Sequence, residues 1–300
     1  MRPPVPCATG PTKPEVPRVR TRPGSRAGVG ACQWGRLQSV ARADGGCGRG
    51  VTEGGVGVVP GIVLVHGTRF SAGQWSAQLG PLREEFAVEA VDLPGHGKRR
   101  GEPWSLSAAT DVVAEAVEAL GEGPALVVGH SLGGYVALEF ARERPELLRG
   151  MVLAGASAST RGRWAIPYRW VAGLVPRIPQ ERLTRWNDRV LRRMYPPEVA
   201  GATVRAGYAF DVLPEAWGEV LGRFGPEDMR DVAAPVLILN GEKDTVFRSG
   251  EREFAAQHPR ARIELIPRAR HLANFDQPEA FTDAVRRFAR ELEGEREGEA

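Results

Sequence analysis

LVVGHSLGGYVALEFA, residues 126–141, sets a serine between glycines at the point where a strand must become a helix. Apolar residues run into Gly129-His130-Ser131-Leu132-Gly133, and a helix-like stretch follows. A side chain on so tight a turn is pushed out above the carboxyl edge of a sheet. Bulky residues two before and two after it would clash with neighbouring chain, and Gly129 and Gly133 remove them. The helix opening near Leu132 adds backbone N–H groups and partial positive charge beside the turn. Ser131 is therefore the candidate nucleophile.

Working outward, short apolar runs read as buried strands at Ile62–Val65, Val88–Val91, Ala125–Val128, Met151–Ala154, Val236–Leu239 and Ile263–Ile266. Stretches of helical periodicity, such as Ser107–Leu120 and Gly134–Arg144, separate most of them. This alternation predicts an α/β fold, a mostly parallel sheet with helices on both faces. The core is expected over 58–156 and 234–292, closing with a helix near Pro278–Glu293 and a charged tail over 293–300. Residues 157–233 lack a clear strand and read as an inserted helical cap. There Leu183, Trp186, Val190, Leu191 and Met194 fall on one helical face.

A serine hydroxyl needs a base to take its proton. Of five histidines, His271 follows the last strand after a short loop, at the edge where Ser131 lies. His66 and His96 sit just after strands and read as loop scaffolding. His130 is expected to point the other way off the turn, and His258 closes a polar helix. The base needs an acid to fix its tautomer. Asp244, at the end of VLILNGEKD, arrives at the same edge, with Asp211 and Asp228 as fallbacks and Glu242 expected to be solvated. An oxyanion hole would draw on the amides of Leu132 and Thr68, with Gly67 letting the second loop come close.

The order Ser131, Asp244, His271, together with HGTR, DLPGHGKR, GHSLGG, GEKD and RHLANFDQPEAF, resembles the α/β-hydrolase fold superfamily over about 58–292. That resemblance implies the same roles for these loops, a helical cap after the sixth strand of the superfamily, and a structural role for Asp92. Superfamily members usually carry two antiparallel strands before the HG strand. Here the preceding 50 residues do not read as strands, so the hairpin is either absent or built from pieces such as Gln33–Val40. Serine at the elbow argues against the dehalogenases and epoxide hydrolases of the superfamily, which use aspartate there.

The expected reaction is cleavage of a carboxylic ester through an acyl-enzyme, on a small to medium, mainly apolar acyl substrate. Thioester, lactone and C–C hydrolysis and cofactor-free haloperoxidase chemistry use the same residues. A ligand-binding member without catalysis is the rival from another class. The aromatic residues Trp164, Tyr168, Trp170, Trp186, Tyr195, Tyr208, Phe210 and Trp217 would line an apolar pocket. Nine arginines over 158–200 read as a solvated face, or as a surface for an anionic carrier. Arg69 is a further candidate, for contact with a substrate carboxylate.

Composition narrows the field. The net charge of +3 divides into +7 over residues 1–50 and −4 over the rest, so the folded part gives no reason to expect nucleic acid as a partner. Residues 1–57 are rich in Pro, Gly and Arg and read as a disordered basic arm. A nucleic-acid-binding arm and a translation start near Val51 are the alternative readings. All three cysteines, Cys7, Cys32 and Cys47, fall in that arm, so no disulfide framework or cysteine-based metal site is expected in the body. No metal, cofactor or membrane partner is expected, and the location is expected to be cytoplasmic.

Overall fold

Six apolar runs become six strands, β1 Ile62–Val65, β2 Val88–Val91, β3 Ala125–His130, β4 Leu148–Ala154, β5 Val236–Gly241 and β6 Ala261–Ile266. All pair in parallel, in the order β2-β1-β3-β4-β5-β6. This computed structural model describes residues 60–162 and 166–299. The arm over 1–57, its cysteines, Gln33–Val40, Arg163 and Trp164 lie outside the described residues.

The central strands are apolar on both faces because both are covered. Ile62 and Leu64 pack with Leu126, Val128, Leu237 and Leu239 on one side of the sheet. Val63 and Val65 pack with Val127, Met151, Leu153 and Ile238 on the other. Full burial of each such aliphatic side chain stabilises the fold by roughly 1.5–3 kcal/mol. The edge strands differ from the expectation of full burial. Glu89 of β2 and Arg262 of β6 are exposed, since one flank of each strand has no neighbour within the described sheet. On β6, Arg262 pairs with Glu291 and Glu264 with Arg287. Charges of this kind protect an open edge from unwanted pairing.

The helices of the core are α1 Ser76–Arg83, α2 Leu106–Leu120 and α3 Leu132–Glu143. The helix α2 starts earlier than its apolar periodicity suggests, because the Ser105 hydroxyl accepts the Ala108 N–H (3.0 Å) and caps it. Between β4 and β5 the chain forms α4 Ile166–Leu174, α5 Gln180–Met194, α6 Pro197–Ala206 and α7 Leu213–Val220. After β5 come α8 Glu251–Ala256, α9 Ala273–Asp276 and α10 Pro278–Glu299, the last continuing beyond the predicted Glu293. Among the described residues no helix is long and apolar enough to cross a membrane.

The predicted inner face of α5 is corrected. Trp186 and Met194 are exposed, while Leu191 and Asn187 are buried. In so arginine-rich a helix several apolar stripes are possible, and packing selects the one through Leu183, Asn187 and Leu191.

Strand order positions the site. The chain leaves β1 for β2 on one side, then returns to place β3 on the other. The loops after β1 and β3 therefore diverge from adjacent strand ends, with Val65 registered on Gly129. Such a switch point opens a crevice at the carboxyl edge.

Candidate active site

Ser131 stands at the end of β3 with φ 52° and ψ −114°, a strained conformation for a residue with a side chain. Its N–H donates to Ala154 O (2.8 Å) and its carbonyl accepts from Gly134 N (2.9 Å), which bind both sides of the turn. The glycines are required by contact. A Cβ at 129 would stand 2.2 Å from Gly133 O, and one at 133 would stand 2.3 Å from Val65 O. Gly134, which the sequence reading passed over, is as constrained, since a Cβ there would meet Ala156 Cβ at 2.3 Å. The doublet in SLGG was the available signal.

Asp244 and His271 come together across the β5 and β6 loops, with His271 Nδ1–H donating to Asp244 Oδ2 (2.8 Å). Two backbone bonds bring the loops into register, from Lys243 N to Ala269 O (2.7 Å) and from Glu242 N to Ile266 O (3.0 Å). Asp244 is buried, and its Oδ1 accepts the amides of Phe247 (3.1 Å) and Val246 (3.3 Å). Burial pushes its carboxyl up. The hydrogen bond and charge of His271 and the two amides outweigh that push and hold it below the usual carboxylate range. The His271 ring stacks on Phe247 at 4.3 Å between centroids. Gly155, with φ 57°, leaves room for it, because a Cβ there would lie 3.0 Å from the ring. Gly155 N also donates to buried Asn240 Oδ1 (3.1 Å), and Asn240 Nδ2 donates to Ser157 Oγ and Glu251 Oε2. Sequence reasoning missed Gly155 and Asn240, whose partners lie far along the chain.

Ser131 and His271 share this edge but form no hydrogen bond with each other among the described residues. In unliganded sites such bonds are often long and tighten only with substrate. The amides of Thr68 and Leu132 donate no backbone hydrogen bond among the described residues, whereas the Gly67 amide is occupied by Gln74 Oε1 (2.9 Å). Gly67 lies against His130, with room for no Cβ, since one would stand 2.6 Å from Nδ1.

His130 does not point away as expected. Its ring lies 4.8 Å from that of His271, and its Nε2–H donates to the His271 carbonyl (3.0 Å). It thus supports the His271 loop from below. Burial first, then the neighbouring His271, lower its pKa to about 3, so it is neutral near pH 7. His66 is scaffolding, with Nδ1–H donating to Gly67 O (2.9 Å) and Nε2 accepting Leu93 N–H (3.1 Å).

The fallback acids serve elsewhere. Asp228 accepts Gly225 N (2.7 Å) and pairs with Arg161 (3.1 Å), and Asp211 is exposed. Glu242 accepts Arg268 N (2.8 Å). Asp92 ties two loops together through Ala72 N (2.7 Å) and Lys98 N (2.9 Å). Among the aromatic residues, Trp170 and Trp186 are exposed and line no interior surface. Tyr195, Tyr208, Phe210 and Trp217 are buried, and Phe70 joins Tyr208 and Phe275 in a ring cluster behind the Thr68 loop.

Comparison with known proteins identifies the family. The sequence pattern of the alpha/beta hydrolase family matches residues 62–284. The pimeloyl-[acyl-carrier protein] methyl ester esterase of Nitrosomonas europaea is 30% identical over 238 residues, covering 74% of this chain and 92% of its own. Among solved structures, MenH from S. aureus superposes with a TM-score of 0.67 at 20% identity, covering 80% of this chain and 97% of the other. A thermophilic esterase from Thermogutta terrifontis gives 0.60 at 27% identity, with 78% and 90% covered. Relatives are esterases and hydrolases, and the chain belongs to the alpha/beta hydrolase family.

Proposed function

We propose that this hydrolase is a serine hydrolase that cleaves a carboxylic ester of a small to medium, mainly apolar substrate through an acyl-enzyme. The observation that carries the reading is the Asp244–His271 hydrogen bond (2.8 Å) at the sheet edge where Ser131 is held at φ 52°. Ser131 Oγ attacks the ester carbonyl carbon while His271 Nε2 takes its proton, and Asp244 stabilises the resulting imidazolium. The oxyanion accepts from the Leu132 and Thr68 amides, a contribution of several kcal/mol in such sites. Collapse expels the alcohol, which receives the proton from His271. Water then attacks the acyl carbon by the same route and releases the acid.

Support for ester chemistry comes from the named relatives, which include methyl ester esterases that match three quarters of the chain. The test is hydrolysis of 4-nitrophenyl esters of increasing acyl length by wild type and Ser131→Ala, with circular dichroism confirming the fold of both. Activity is expected to fall to near background in the variant, and an active-site phosphonate is expected to label wild type alone. Full activity in folded Ser131→Ala would overturn the mechanism.

A further inference from the structure

Next to the proposed oxyanion loop stands a cation with no counter-ion among the described residues. Arg69 follows Thr68 directly, at φ 64°, and its carbonyl is tied down by Ala209 N (2.9 Å). Its guanidinium lies 4.5 Å from the centre of the Phe70 ring, and its Nε–H donates to Asn187 Oδ1 (3.3 Å). Among the described residues no carboxylate pairs with it, and Nη1 and Nη2 have no protein acceptor. Asp188, the nearest acid along α5, accepts instead from the Tyr208 hydroxyl (2.7 Å). Burial lowers the arginine pKa to about 10, which leaves it charged. Arg69 is half-buried, so its charge is only partly solvated and gains from a partner.

Two further groups at this place are unsatisfied. Asn187 is only 1% exposed, and its amide acts on the Tyr208 hydroxyl without an ordinary hydrogen bond at Nδ2, while the buried Thr68 Oγ1 lacks a partner among the described residues. The asparagine amide and the guanidinium can only donate at these atoms, and the hydroxyl can donate as well. These donors have room for an acceptor that no protein group among the described residues supplies to the terminal nitrogens of Arg69. The loop borders the candidate nucleophile, since Gly67 packs on His130, and the charge of Arg69 acts on that ring beside Ser131.

We infer that Arg69, with Asn187 Nδ2 and Thr68 Oγ1 beside it, forms a subsite for a free carboxylate on the substrate, so that the preferred ester is a half-ester of a dicarboxylic acid. One guanidinium brings a single positive charge in a planar fork, which matches a planar monoanion. Asn187 turns the fork by holding Nε, leaving the terminal nitrogens for the ligand. The inference rests on the serine-esterase reading for the bond that is cleaved, but not for the binding of the anion.

The test pairs substrates of equal length with and without the second carboxylate, mono-4-nitrophenyl glutarate against 4-nitrophenyl pentanoate. It is run with wild type, Arg69→Gln, Arg69→Lys and Asn187→Asp, and binding of glutarate is measured on wild type, Ser131→Ala and Arg69→Gln by calorimetry. The readout is the ratio of kcat/KM for the two esters. Wild type is expected to favour the glutarate by about tenfold or more, the weight of a charge-assisted hydrogen bond. Arg69→Gln abolishes the preference mainly through KM, and Arg69→Lys retains part of it. Asn187→Asp, which supplies an internal counter-ion, abolishes it with the arginine in place. A merely structural arginine would lower both rates together and leave the ratio unchanged, and that result overturns the inference, as does a wild type without preference. Glutarate binding that depends on Arg69, without ester hydrolysis, would sink the esterase reading while the subsite stands. Absence of both would sink the two together.

Discussion

Replacing Gly133 by alanine is the sharpest test of how the elbow is built. In an ordinary helix position glycine to alanine is worth about 1 kcal/mol of stabilisation. At 133 the new methyl would stand 2.3 Å from Val65 O and 2.7 Å from His66 O. Both are backbone atoms at the end of β1, so neither can rotate out of the way. Over-packing of this kind costs about 1–3 kcal/mol or more, and it must also displace the strand end that leads into Gly67 and Thr68. The net expectation is a loss of about 1–2 kcal/mol, a fall of roughly 2–8 °C in Tm for a domain of this size, with a disproportionate loss of kcat from the shifted Thr68 amide. Gly80→Ala is the control. It lies in α1, is exposed, and a Cβ there meets nothing within 4 Å, so it should raise Tm slightly and leave ester hydrolysis alone. Thermal unfolding and 4-nitrophenyl ester kinetics on the two variants decide the matter. A Gly133→Ala enzyme as stable and active as Gly80→Ala would refute the close-approach argument.

Two other outcomes follow from the site. Asp244→Asn should lower kcat by about 10³–10⁴-fold while leaving KM for short esters little changed, because the wrong His271 tautomer is then favoured; steady-state kinetics checks it. Asp244 also contributes to stability, and since folding depresses its pKa, that contribution is present above pH 4 and is lost as pH falls below the unfolded value of 3.8. His130 acts in the same direction at higher pH. Its folded pKa of about 3 lies below the unfolded 6.5, so the unfolded chain binds the extra proton. Stability is then complete above pH 6.5 and declines toward pH 3, by roughly 4–5 kcal/mol if the whole shift is realised. Urea titrations of wild type and His130→Gln between pH 4 and 7.5 should show a shallower decline for the variant, and parallel curves would contradict it.

What was legible in the sequence was local. Ser131, Gly129 and Gly133 lie within five residues, and their requirement is a property of one turn, so a strand, a glycine pair and a helix start suffice to find them. Asp244 and His271 were reachable because each closes a strand and all strand ends of a parallel sheet share one edge. The rest depends on which side chains meet across long intervals. Asn187 reaches Arg69 from 118 residues away, and a polar residue on the inner face of α5 looks like an interruption of the stripe until its partner is known. Trp186 shows the same limit in reverse, since an arginine-rich helix offers a tryptophan several faces. The direction of His130 is not legible locally, because its partner, the His271 carbonyl, is supplied by the loop after β6.

The four residues after His66 concentrate the consequences of putting β1 beside β3. Gly67 lies against His130 and donates its amide to Gln74; Thr68 offers an amide and a hydroxyl; Arg69 carries a charge with no carboxylate partner among the described residues; and Phe70 anchors the turn in the ring cluster with Tyr208 and Phe275. A loop that serves both the reacting carbonyl and a second substrate group ties their separation to the protein backbone. Specificity is then a distance as well as a charge. On the proposed subsite, the length of the acyl chain between an ester carbonyl at Ser131 and a carboxylate at Arg69 would be set by consecutive residues of one turn. A series of half-esters should therefore show a single optimum in chain length, lost together with the carboxylate preference in Arg69→Gln, while neutral esters of the same lengths change smoothly with apolar area. A broad, featureless profile for both series would mean that the two groups are not held by one loop.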